Sequence, residues 1–108
     1  MKPALLALLL PVLILCGCPS RSNPVPPVPG APQLKAATTT WPDATAEELT
    51  RGHAGVVASC NRCHGYPKVD EVSAAEWPAT ATKMIGRSKV AEADRQAVYR
   101  YLLTASAQ

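Results

Sequence analysis

The sequence predicts a small all-α fold of three to four helices, and three observations point to it. The stretches from Ala46 toward Ser59 and from Ala91 to Ala105 carry apolar residues at helical spacing. A third stretch, ending at Gly86, has a helix-start signature near Ser73 and another near Trp77. No segment alternates apolar and polar residues as a half-buried strand does.

The 108-residue chain divides into three parts. Residues 1–18 read as a lipoprotein signal peptide. Met1 and Lys2 give a positive start, and Ala4 to Leu15 is an apolar run of twelve residues interrupted by Pro11. That run is too short to span a hydrocarbon core of about 30 Å as a helix, but it suits the apolar region of an export signal. Leu15-Cys16-Gly17-Cys18 follows. It resembles the lipobox of bacterial lipoproteins, which implies that Cys18 becomes the lipidated first residue of the mature chain. Cys16 fits worse, because bulky Leu15 precedes it. The alternative is an ordinary cleaved signal with incidental cysteines.

Residues 19–40 contain six of the 11 prolines and almost no charge. This composition predicts an extended, polyproline-like linker that spaces a domain from a bilayer, or else a proline-rich ligand for a partner. Residues 41–108 are the expected folding unit. Its 68 residues bury too little apolar surface to be comfortably stable without a disulfide, metal, cofactor or partner. The chain's charge of +3 comes from Lys2, Arg21 and Lys35, so the unit itself is formally neutral. It has no basic run or basic aromatic motif, and no nucleic-acid partner is expected.

Within the unit, Asp43 or Thr45 can cap the first helix, with Glu47 and Glu48 in its favoured first turn. Leu49, Gly52, Val56 and Val57 share one face. Gly52 weakens a helix, which close approach of a second helix would explain. Ser73-Ala74-Ala75-Glu76 matches a capping box, but Pro78 would then lose a hydrogen bond inside the helix, so a start nearer Trp77 is the alternative. In the last helix Ala97, Val98, Tyr101, Leu102 and Ala105 form the apolar stripe.

The chemistry-bearing residues are Cys60-Asn61-Arg62-Cys63-His64. C-x-x-C-H is the attachment sequence of c-type haem. Two thiols at this spacing can form thioethers to the two vinyl groups on one porphyrin edge, and the adjacent histidine can ligate the iron. Behind an export signal the motif gains weight, because c-type haem is attached after secretion. Two haem-free uses compete. A thioredoxin-like C-x-x-C needs a βαβ context. A zinc site from His53, Cys60, Cys63 and His64 has adjacent ligands at Cys63 and His64, which fit a closed tetrahedral site poorly.

From about Glu47 to Leu103 the chain resembles the class I cytochromes c. In that family a glycine eight residues before the first haem cysteine marks where the N-terminal helix crosses the C-terminal one, and Gly52 stands eight before Cys60. Val56 takes the place of a larger, often aromatic residue four positions further on, and Tyr101-Leu102 matches a pair common in the last helix. The resemblance implies a small cytochrome c-like domain around one haem, and electron transfer.

For the sixth iron ligand the candidates are Met84 and His53, the latter expected to be exposed. Met84 lies twenty residues beyond His64, an interval shorter than in many class I members. A thioether favours reduced iron and raises the potential, whereas the plainer role of a methionine is to fill a core. Trp77 stands seven before Met84 and is expected beside the haem. Pro67 is expected to help fix the His64 ring. The whole predicts an electron-transfer protein and not an enzyme. It would be exported and lipid-anchored at an outer or periplasmic membrane face, exchanging electrons with redox partner proteins there, as a carrier or as the haem subunit of an oxidoreductase. The alternative is an open-iron haem protein that binds peroxide, nitric oxide or carbon monoxide.

Overall fold

The structure is a computed structural model and describes residues 23–60 and 65–108. The described residues are all helical or irregular, with no strand. In chain order they form α1 (Ala31–Thr40), α2 (Ala46–Ser59), α3 (Trp77–Arg87), a 3-10 turn (Glu92–Asp94) and α4 (Arg95–Thr104). The signal-peptide reading and Cys18 lie outside the described residues.

Helix α1 corrects the expectation of an extended linker for residues 31–40 only; residues 23–30 are free of helix and strand as expected, and residues 19–22 lie outside the described residues. Its apolar period is weak, and tertiary contacts supply what the sequence pattern lacks. Pro32 sits in the first turn, where its missing N–H costs nothing. Gln33 Oε1 accepts from the Gly30 N–H at 2.7 Å. The same side chain reaches the other end of the chain, where its Nε2 donates to the Ala107 carbonyl at 2.9 Å. Ala37 is fully buried. The packed unit therefore begins well before Trp41.

Helix α2 spans the range the sequence predicts. Thr45 is its cap, with Oγ1 accepting from the Glu48 N–H at 3.1 Å. Asp43 serves another purpose. Its carboxylate receives two hydrogen bonds from Arg100, at 3.1 and 3.3 Å. Arg100 also donates to Glu48 at 3.0 Å and lies over the Trp41 ring, 5.2 Å from its centroid. This cluster ties the start of α2 to α4.

The two helices meet at Gly52. A Cβ there would stand 2.1 Å from the Ala97 carbonyl oxygen and 2.7 Å from Tyr101 Cβ. One turn on, a Cβ at Gly55 would stand 2.7 Å from Val98 Cγ2. The two glycines make the trough in which α4 lies. The core on either side consists of Leu49 and Val56 from α2, Trp77, Ala81 and Ile85 from α3, and the predicted stripe of α4.

Helix α3 begins at Trp77, which resolves the choice at its start. Pro78 then falls in the first turn, where proline is tolerated. Ser73 and Glu76 form half of the capping box: the Glu76 carboxylate accepts from the Ser73 hydroxyl at 2.7 Å and from its N–H at 3.2 Å. The last helix starts four residues later than the period suggests, because Glu92–Asp94 form the tighter turn.

Candidate functional site

Cys60 follows the last residue of α2. Its N–H still donates to the Val56 carbonyl, at 2.9 Å, so the helical hydrogen bonding extends to this cysteine and fixes where it stands. The thiol is half-buried. The next four residues, among them Cys63 and His64, lie outside the described residues, and description resumes at Gly65.

Beside Cys60 opens a cavity of about 420 Å³, within the roughly 300–1,000 Å³ typical of small-molecule and cofactor sites. Ser59 and Cys60 form one wall. Thr80, Met84 and Arg87 of α3, spaced four and then three apart so as to share a face, contribute to the other with Lys83. Trp77, Ala81 and Ile85 are the residues of that helix turned into the core. The structure thus brings together two residues that the sequence separates by 24 positions, the first cysteine of the motif and the methionine expected to ligate iron.

The donor set suits a c-type haem. A thiol able to form a thioether and a soft thioether line one space, and no carboxylate is among its described lining residues. The charged groups at the cavity, Lys83 and Arg87, are both cationic. Sequence reading missed them; the signal was their four-residue spacing around Met84.

Burial pushes the Cys60 thiol up from its ordinary pKa. Such a thiol is protonated at neutral pH and is a poor nucleophile, whereas reactive C-x-x-C cysteines have lowered values. His53 departs from expectation: it is half-buried, not exposed. Its Nε2 lies 3.0 Å from the Pro26 carbonyl, and its ring packs edge-on against Tyr101 at 5.4 Å between centroids. It is not among the residues lining the cavity. Among the described residues no three His, Cys, Asp or Glu side chains are grouped to hold a metal ion.

Trp77 is buried, and its indole N–H donates to the Val69 carbonyl at 3.2 Å. It is not among the cavity's lining residues. Pro67 lines a separate groove, facing Pro24 to Pro27.

No protein-family model, no curated protein and no solved structure matches this chain. Among the described residues no helix is long and apolar enough to cross a membrane.

Proposed function

We propose that the protein is a lipid-tethered, single-haem cytochrome c that transfers one electron at a time between partner proteins outside the cytoplasm. The observation that carries the reading is the shared cavity of Cys60 and Met84 beside the C-x-x-C-H sequence. Cys60 and Cys63 would hold the porphyrin covalently, and His64 and Met84 would be the axial ligands of a cytochrome c-like fold. Haem c, when bound, supplies a one-electron iron couple.

The chain's own residues do the rest. The contact at Gly52 fixes α2 against α4, and α2 carries Cys60 to its place. Helix α3 presents Met84 to the same space, and its buried face holds that presentation rigid. Lys83 and Arg87 bring positive charge, which disfavours the more positive, oxidised iron and so raises the potential along with the thioether. With His64 and Met84 both holding the iron, no position would be left for a substrate at the metal, which favours electron transfer over small-molecule chemistry.

Carbon monoxide tests the reading. The reduced wild-type protein is expected to bind it slowly or not at all, and Met84→Ala to bind it rapidly. Rapid binding by the wild type would instead support the open-iron alternative.

A further inference from the structure

We infer that the segment Asn23–Pro27 is a strap that positions the loop following His64, with Asn23 as the positioning residue; the bearing of that loop on His64 as an iron ligand rests on the haem reading above. The segment is free of helix and strand, as its prolines dictate, yet it is docked along the domain. Three bonds hold it, each to a different part of the fold. Asn23 Nδ2 donates to the Tyr66 carbonyl at 2.7 Å. The buried Pro26 offers its carbonyl to His53 Nε2 of α2 at 3.0 Å. A carbonyl can only accept, so this bond requires the His53 tautomer with its proton on Nε2. The Pro27 carbonyl accepts from the Tyr101 hydroxyl of α4 at 2.6 Å.

The first of these bonds falls on the loop that leaves the haem motif. Asn23 lies close against Gly65, the residue directly after His64: a Cβ at Gly65 would stand 3.1 Å from Asn23 Cγ and Nδ2. Tyr66 is held at both ends, its carbonyl by Asn23 and its hydroxyl by the Val57 carbonyl at 3.1 Å. On the haem reading, main chain fixed at Gly65 and Tyr66 would restrict how the preceding residue, His64, can be presented to the iron. The orientation of a metal-bound imidazole is set by such outer contacts. The prolines suit the task, because three of the segment's five residues, Pro24, Pro26 and Pro27, have no N–H to satisfy while their carbonyls can accept.

Asn23→Asp keeps the shape and removes the donor; Asn23→Ala removes both. The test compares these variants with the wild type as full-length exported proteins, by hydrogen exchange and by the axial-histidine signals of the ferric form. Amides between residues 65 and 70 are expected to exchange about tenfold faster in the variants, those of α3 and α4 to be unchanged, and the histidine signals to shift. Unchanged exchange in the loop, or uniform acceleration through the whole protein, would overturn the proposal. Exchange without a shift of the histidine signals would overturn the positioning role. Absence of haem from the wild type, read from its mass, would instead overturn the proposed function, and with it the ligand role given to His64.

Discussion

On the proposed haem reading, Met84 is the residue on which the electronic properties would turn. As a ligand it would contribute a soft neutral donor, and as a core filler it would contribute only contacts. Met84→Ala separates the two: the weak far-red band of methionine bound to ferric iron should vanish and the reduction potential should fall. A variant with band and potential intact would return Met84 to the core-filling role. At Asp43, hydrogen bonding to Arg100 holds the carboxyl below its ordinary range. A lowered folded value means that this contribution to stability is present above the unfolded pKa of about 4 and is lost as pH falls through the folded one. Thermal unfolding followed below about pH 5 should therefore show a smaller acid loss in Asp43→Asn than in the wild type.

At the scale of elements, the contact between α2 and α4 is the joint that carries the site. Gly52→Ala forces a Cβ against a backbone carbonyl that cannot move aside as a flexible side chain could. It should destabilise the protein by more than about 2 kcal/mol in denaturant unfolding. The strap has its own pH dependence. Burial raises the Tyr101 phenol's pKa, so the stability it lends is complete below the unfolded value of about 10 and declines above it. Tyr101→Phe should flatten that alkaline decline, at the expense of the bond to Pro27, worth about 1 kcal/mol at lower pH.

The same elements show what can be read from a sequence. Helices α2 and α4 were legible because each has a broad apolar stripe at helical spacing, and Gly52 was legible because a glycine on such a stripe asks for a neighbour. Helix α1 was not, since its order comes from Gln33 and Ala37 meeting a helix near the other end of the chain. For the same reason Asn23 passed as linker: a single amide that bonds a carbonyl 43 residues away leaves no local trace. Cys60 and Met84 were named from motif and composition, but only the fold shows that they border one space. Asp43 was expected only as an alternative cap to Thr45, and nothing local in the sequence announces Arg100, whose hydrogen bonds its carboxylate receives.

For the whole molecule, the small size of the packed unit is the governing fact. Its core rests on a few large side chains, chiefly Trp77, Tyr101, Leu49 and Leu102, beside a cavity of about 420 Å³. A covalently held apolar group there would fill space that side chains leave open. Replacing both Cys60 and Cys63 by Ala should accordingly lower the thermal midpoint by many degrees, and not merely bleach the protein. Docking from Asn23 onward also takes those residues out of any spacer, so a chain anchored at Cys18 would carry its domain closer to the bilayer than its proline content suggests.

The most direct measurement of the central claim uses a coincidence of sequence: Arg62 lies between the two cysteines. Trypsin cleaving after Arg51, Arg62 and Lys68 releases residues 52–62 and 63–68 as separate peptides. In protein exported from a host that attaches haem, the two peptides should remain joined through one porphyrin, by links that reductant does not break. Two free peptides with alkylatable thiols, or a pair joined by a reducible bond without the mass of haem, would contradict the account.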